Sequence, residues 1–460
     1  MAKKVVIIGG GPGGYVCALR AAQLGAQVTV VEKYALGGTC LNWGCVPTKT
    51  LLHAARIYRM LQNTRRLGVY CTPGPLRFDK MVANKNAVVQ NNVSGIENLF
   101  KKHRIKTVKG RGRLLGSSTV EVQTGDGHLV EQTAEALVLA TGSEPLMPDF
   151  IEFDKDRIMT TNEAVDLDHL PGSIAIVGGS VSGCEFACLF AQLGSKVTLI
   201  EMLDRVVPTE DVEISRRLEG ALRALGVKVM TKTAIKTVEK QYPAGSVQLT
   251  TDDNGQVSAD YCLLAMGRKL NTENIGLDRV GIDFSSKGIA VNERMETNIK
   301  NVYAIGDVTG KILLAHVASE QGIVAAENIM GFDSTMDYSA IPNFIYTQPE
   351  IGSVGMTEQE AREMGMDVIK GKAIFKTNAM AHAIGDTTGF VKCILDRETK
   401  KVLGVHILGP HATDLLAEAV TMVRNGMTLE EVKSVVHPHP TLSETIKEAV
   451  LASVDQAIHG

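Results

Sequence analysis

The chain opens on an apolar run, Val5-Val6-Ile7-Ile8, that breaks into Gly9-Gly10-Gly11-Pro12-Gly13-Gly14. A short, continuous apolar run closed by glycine reads as a buried strand turning sharply into a helix. The next strand signal is Ala22-Gln23-Leu24-Gly25-Ala26-Gln27-Val28-Thr29-Val30-Val31-Glu32, which ends in a carboxylate. The same pattern returns later. An apolar strand and the turn Gly178-Gly179-Ser180-Val181-Ser182-Gly183 precede Ala191-Gln192-Leu193-Gly194-Ser195-Lys196-Val197-Thr198-Leu199-Ile200-Glu201 at the same spacing. The repeat predicts two βαβ units, each closed by an acid. Residues 136–139 and Leu263-Leu264 are further apolar runs, ending at Ala140-Thr141-Gly142 and Ala265-Met266-Gly267-Arg268. Val302-Tyr303-Ala304-Ile305-Gly306-Asp307 reads as a buried strand ending in Gly-Asp. After Tyr338 the pattern changes to strand runs at 390–395 and 402–408, followed by helical periodicity at 414–424 and 443–454.

Each βαβ unit has the chemistry of a dinucleotide site. Gly9 and Gly178 allow the tight turn, Gly11 lets backbone approach a pyrophosphate, and Gly14 and Gly183 allow close helix–strand packing. A pyrophosphate sits on the free N–H groups at the helix start. Glu32 and Glu201 are placed to accept hydrogen bonds from an adenosine ribose. One glycine turn can serve packing alone; two in register, each with its acid, point to two nucleotides. The copies differ at Ser180, which stands where the second turn expects its middle glycine. Its hydroxymethyl would either crowd the pyrophosphate or bond to it.

Composition narrows the class. A chain of 460 residues has room for about three domains of ordinary size. A hydrophobic fraction of 44% supports large cores, and a net charge of −3 gives no reason to expect nucleic acid or an anionic membrane surface. Met1-Ala2-Lys3-Lys4 runs directly into Val5, which leaves no room for a targeting peptide, and no apolar stretch is long enough to span a bilayer. Eight cysteines in a chain this long are not a secreted disulfide framework. A cytoplasmic protein is expected; one whose targeting peptide has been removed would also fit.

Two of those cysteines lie in Gly37-Gly38-Thr39-Cys40-Leu41-Asn42-Trp43-Gly44-Cys45-Val46-Pro47-Thr48-Lys49, just after the first fingerprint. The four residues between them can loop out so that the sulfurs meet. Pro47 suits the first turn of a helix, which puts Cys45 at a helix N-terminus, where a thiolate is stabilised. Alternatives are two buried cysteines, half a metal site or a permanent disulfide. Zinc lacks a second cysteine pair or histidine cluster, and a permanent disulfide does not suit a reducing compartment. No metal is expected. Cys184 and Cys188, one helical turn apart, read as core packing. Near the C-terminus, His437-Pro438-His439-Pro440-Thr441-Leu442-Ser443-Glu444 presents an imidazole on a proline-flanked loop with a carboxylate five residues on. Such a pair suits proton abstraction from a thiol near neutral pH.

The run from Gly37 to Lys49 resembles the active-site segment of the flavoprotein disulfide reductases, and the resemblance extends over essentially the whole chain. It implies an α/β fold with two Rossmann-like dinucleotide-binding domains, for FAD and NAD, and a C-terminal α+β dimerisation domain. The implied segments are 1–145 (FAD domain with redox disulfide), 146–267 (NAD domain), 268–337 (second FAD segment) and 338–460 (interface domain). Cys40 would exchange with substrate, and Cys45 would lie against the flavin. His439, matching the family from that residue through Glu444, would be the acid–base group, oriented by Glu444. Lys49 and Glu185 match residues that pair beside the flavin. Asp307 matches the acid that meets the ribityl chain. Thr141, Gly142, Gly267 and Ala315 complete the cofactor-contacting set with the glycines and acids already named.

The function implied is oxidation of protein-bound dihydrolipoamide, with electrons passing through the Cys40–Cys45 disulfide and FAD to NAD+. The implied partners are a second copy of the chain and a lipoyl-bearing acyltransferase or glycine-cleavage carrier, since no lipoyl domain precedes Val5. One rival is another FAD-dependent disulfide or mercuric reductase. Glu201 opposes NADPH use, and residues 451–460 lack the terminal cysteine pair of a mercuric reductase. The other rival, a non-enzymatic flavoprotein scaffold, leaves the dithiol and the His–Glu run without a purpose.

Overall fold

A computed structural model describes residues 2–62, 64–72, 74–241 and 245–459. The chain forms two compact units. The first gathers residues up to 51, 77–146 and 267–337; the second gathers 52–76, 147–266 and those from 338 onward.

The first unit is built on a five-stranded parallel sheet, in the order Val302–Ala304, Ala136–Leu139, Lys4–Ile8, Gln27–Glu32, Lys106–Lys109. Its central strands are buried on both faces, which is why they read as unbroken apolar runs rather than as alternation. The helix Pro12–Gln23 starts with proline in its first turn and packs on the helix Ala315–Ile329. The two backbones nearly touch: a Cβ at Gly322 would lie 2.5 Å from the Gly13 carbonyl oxygen. On the opposite side Val120 and Val122, from a small antiparallel sheet, pack with Val6, Ile8, Leu137 and Leu139.

The second unit repeats this plan. Its parallel sheet runs Lys228–Met230, Lys196–Ile200, Ser173–Val177, Tyr261–Leu264, Ile158–Thr160. Ser173–Val177 pairs with Lys196–Ile200 in the same register as Lys4–Ile8 with Gln27–Glu32, so the sequence repeat is a structural one. A second, wholly antiparallel sheet has the order Asn343–Ile345, Glu350–Gly355, Val402–Gly409, Phe390–Asp396, Val368–Ile374. The helices Ala412–Arg424 and Glu444–Ala452 pack on it.

The buried strand Phe390–Asp396 carries a lysine in its middle. Lys392 Nζ donates to both Asp211 oxygens at 3.0 and 2.9 Å and to Glu358 at 2.7 Å. Burial opposes the Lys392 charge, but Glu358 and Asp211 outweigh it and raise its pKa. The same ties, with Lys370 first, pull Glu358 down to about 2. A buried charge is tolerated only when paired in this way.

Candidate active site

Cys40 lies in a five-residue helix, Gly38–Asn42, and Cys45 is the first residue of the helix Cys45–Leu61. The segment between them is therefore partly helical and not the open loop expected from sequence. Gly37 makes the entry possible. Its φ is +93°, and a Cβ there would lie 2.3 Å from the Leu41 side chain. The two cysteine side chains are hydrogen-bonded to one another. The Cys40 thiol is pushed well above its ordinary range, first by its hydrogen bond to the Cys45 sulfur and then by burial; Lys49 and the Cys45 N–H act in the opposite sense. Cys17, Cys184, Cys188, Cys262 and Cys393 are buried thiols raised by burial, as suits packing residues.

The two glycine turns are near copies. A Cβ at Gly9 would meet the Ala140 carbonyl oxygen at 2.1 Å, and one at Gly178 would meet that of Ala265 at 2.4 Å. At Gly14 and Gly183 the clash is with the oxygens of Gly9 and Gly178, each at 1.9 Å. Gly11 differs. A Cβ there would find only the Gly38 Cα, at 3.8 Å, so the fold itself does not require glycine and the space is open for a ligand. The first helix has no side-chain cap, which leaves its N-terminal N–H groups available to an anion.

Both strand-end acids are tied back to these turns. Glu32 accepts from Gly10 N at 2.7 Å and Tyr34 N at 2.8 Å. Glu201 accepts from Gly179 N at 2.6 Å and Leu203 N at 2.7 Å. Each carboxylate holds its glycine loop with one oxygen and its own turn with the other.

Ser180 neither crowds the turn nor points out of it. It is the N-cap of the helix Val181–Leu193, accepting from Gly183 N at 3.3 Å and donating to the Ala265 carbonyl at 3.0 Å. Ser180→Ala is expected to cost about 0.5–2 kcal/mol, and Ser180→Gly only a few tenths. Denaturation midpoints of the two variants check this.

Asp307 follows the strand Val302–Ala304. Its Oδ2 accepts from Ser143 Oγ at 2.5 Å and lies 3.8 Å from Arg268 Nε. Arg268 donates to Ser143 Oγ at 2.6 Å and to the Ser143 carbonyl at 2.8 Å. Burial pulls the Arg268 guanidinium down, whereas Asp307, Cys45 and Glu144 favour its charge. Beside this group Thr141 and Asn271 exchange hydrogen bonds of 2.8 and 2.9 Å. Gly142 and Gly267 have positive φ, and neither would meet an atom within 4 Å if given a Cβ. Ala315 is the first residue of its helix, which also lacks a side-chain cap. Lys49 lies in the Cys45 helix, and in the second unit the buried Glu185 accepts from Tyr346 N at 3.0 Å.

In the second unit His439 Nδ1 meets Glu444 Oε1 at 2.9 Å, and the other oxygen, Oε2, accepts from Thr441 N at 2.9 Å. The His439 side chain is 71% exposed. Burial pushes the Glu444 carboxyl up, but the Thr441 N–H and the His439 ring outweigh it and hold Glu444 below the ordinary range. The arrangement fixes one ring nitrogen on a carboxylate and leaves the other for a proton.

Sequence reasoning passed over two features. It gave Arg268 no role, because its partners Ser143 and Asp307 are distant in the chain. It gave His437 no role either, whereas the ring sits 2.6 Å from Glu418 Oε1 with only 6% of the side chain exposed.

Residues 3–322 match the family model described as pyridine nucleotide-disulphide oxidoreductase, and residues 341–450 match the dimerisation domain of the same family. The chain belongs to the pyridine nucleotide-disulphide oxidoreductases. It is 42% identical to a dihydrolipoyl dehydrogenase of Bacillus subtilis, covering 99% of this chain and 98% of that one. It is 38% identical to a mitochondrial dihydrolipoyl dehydrogenase of Pisum sativum, covering 99% and 92%. Among solved structures, LpdA of Mycobacterium tuberculosis superposes with a TM-score of 0.92 at 29% identity, over 98% of this chain and 99% of that one. The flavoprotein disulfide reductase RclA of Escherichia coli gives 0.87 at 26% identity, over 97% and 99%. The chain is thus an oxidoreductase of a family that uses FAD and NAD, and it carries that family's dimerisation domain. Among the described residues no helix is long and apolar enough to cross a membrane.

Proposed function

We propose that this chain oxidises protein-bound dihydrolipoamide to lipoamide and reduces NAD+ to NADH. The single observation that carries the reading is the dithiol at Cys40 and Cys45, placed on the same unit as an open glycine turn and accompanied elsewhere in the chain by an imidazole–carboxylate pair. Relatives named for this activity match over nearly the full chain. His439 takes a proton from a substrate thiol, and Glu444 holds the ring for that task. The substrate thiolate attacks the oxidised Cys40–Cys45 pair, forming a mixed disulfide at Cys40 and releasing Cys45 as thiolate. The second substrate thiol then displaces Cys40, so lipoamide leaves and the dithiol remains.

FAD, when bound, supplies the two-electron step between the dithiol and the nicotinamide. The space at Gly11, the uncapped helix behind it and the acids Glu32 and Asp307 fit that group. Gly178, Gly183 and Glu201 would hold NAD. The working form is a homodimer in the cytoplasm in which His439 and Glu444 of one chain serve the dithiol of the other. The natural substrate is the lipoyl group of an acyltransferase or of a glycine-cleavage carrier protein.

A paired assay of NAD+ and NADP+ with dihydrolipoamide and glutathione tests the reading: activity is expected with NAD+ and dihydrolipoamide. Glu201 disfavours a 2′-phosphate by charge, and losing a hydrogen bond to a charged group costs about 1.5–3 kcal/mol, or roughly ten- to a hundredfold in affinity. Glu201→Ala should therefore narrow the preference for NAD. A higher kcat/KM for NADPH than for NADH in the unaltered protein overturns the assignment.

A further inference from the structure

We propose that His437 is a positioning residue. Together with Glu418 it clamps the short proline-flanked segment that presents His439, so that orientation of the base is set from two residues away. The inference rests on the function proposed above.

The segment is stiff along its whole length. Pro438 and Pro440 have fixed φ, and His437 and His439, each preceding a proline, are restricted as well. Thr441 Oγ1 closes the turn by donating to the Pro438 carbonyl at 2.8 Å. A rotation imposed at His437 is therefore carried to His439 rather than absorbed between them.

His437 is the buried end of this lever. Its Nε2 meets Glu418 Oε1 at 2.6 Å, and Glu418 is on the helix Ala412–Arg424, which packs on the antiparallel sheet. The contrast in exposure, 6% for the His437 side chain and 71% for that of His439, separates the anchor from the working group. Other ties keep the flanks in place. Lys447 Nζ donates to the Val435 carbonyl at 2.7 Å, and Asn378 Nδ2 donates to the Thr441 carbonyl at 2.8 Å. The charged groups acting on His437 are Glu418, which favours its proton, and Lys447, which opposes it. When the His437 ring carries its proton, its charge adds the smallest of the pulls that lower Glu444. The loop thus carries two imidazole–carboxylate pairs in series, one structural and one facing outward.

The test compares H437Q, E418Q and the double variant as flavin-loaded dimers. Each is assayed with dihydrolipoamide and NAD+, and separately for transfer from NADH to ferricyanide, which requires no thiol deprotonation. Displacing a catalytic group by a fraction of its reach costs on the order of ten- to a hundredfold. Each single variant should lose that much kcat with dihydrolipoamide, with little change in KM and with the ferricyanide rate kept. The double variant should be no worse than the poorer single, because the two residues act as one unit. Single variants that retain kcat within about twofold overturn the proposal. So does a proportional loss of both activities, or loss of bound flavin in either variant, since each assigns the pair to general stability. If the unaltered protein fails to oxidise dihydrolipoamide, the functional reading is what fails; a normal rate with indifferent variants removes the clamp alone.

Discussion

Cys40→Ser is expected to keep the yellow cofactor and to lose lipoamide turnover by several orders of magnitude. The two effects separate because the residues fitted to FAD do not depend on the Cys40 sulfur. Gly9 and Gly14 shape their turn through close backbone contacts, Gly11 leaves open space beside it, and Glu32 and Asp307 are held by Gly10, Tyr34 and Ser143. Serine is close to cysteine in size, so the short helix Gly38–Asn42 should persist. What disappears is the sulfur that accepts the substrate thiolate, and an alkoxide cannot replace it in thiol–disulfide exchange. Absorbance of the bound flavin and steady-state rates with dihydrolipoamide are the two measurements. Near-normal lipoamide activity in Cys40→Ser would show that the mechanism is wrong.

The second large effect is a gain. A Cys45→Ser chain and a His439→Gln chain should each be nearly inactive, yet a mixture refolded together should recover activity. If the dithiol of one chain works with the imidazole of the other, one site of the heterodimer carries both lesions and the other carries neither. A two-fold dimer repeats the same contact twice, so random pairing restores roughly a quarter of the sites. Were each site built within one chain, every site would keep a lesion and mixing would restore nothing. A fully active monomer at working concentration would also refute the shared site.

The elements most legible in the sequence were those set by local pattern. The strand run at 390–395 is Phe390–Asp396, and that at 402–408 is Val402–Gly409. The helical stretches at 414–424 and 443–454 are Ala412–Arg424 and Glu444–Ala452, differing only at their ends, where frayed turns and caps blur any boundary. Position Cys45 at a helix start followed from Pro47. What stayed hidden depends on partners far apart in the chain. Nothing near Lys392 in the sequence announces Asp211, and nothing near His437 announces Glu418. For Ser180 the sequence points to a pyrophosphate, and the structure adds a local role, since its side chain caps the helix it precedes by accepting from Gly183 N. The Cys40–Cys45 spacing suggested a loop, but a left-handed Gly37 lets the chain start a helix at once.

The double duty of Glu32 and Glu201 bears on how such an enzyme could be retuned for a different coenzyme. At each strand end one carboxylate ties down a glycine loop, and in the function proposed above the same carboxylate also serves the ribose. Exchanging Glu201 for a basic side chain would reverse the charge proposed to discriminate between nucleotides, and at the same moment release the Gly179 N–H. Preference and loop order therefore cannot be altered one at a time from that position. A redesign, in the laboratory or in the course of divergence, has to supply a second substitution that gives the freed amide a new acceptor, and lineages that changed specificity should carry the two changes together.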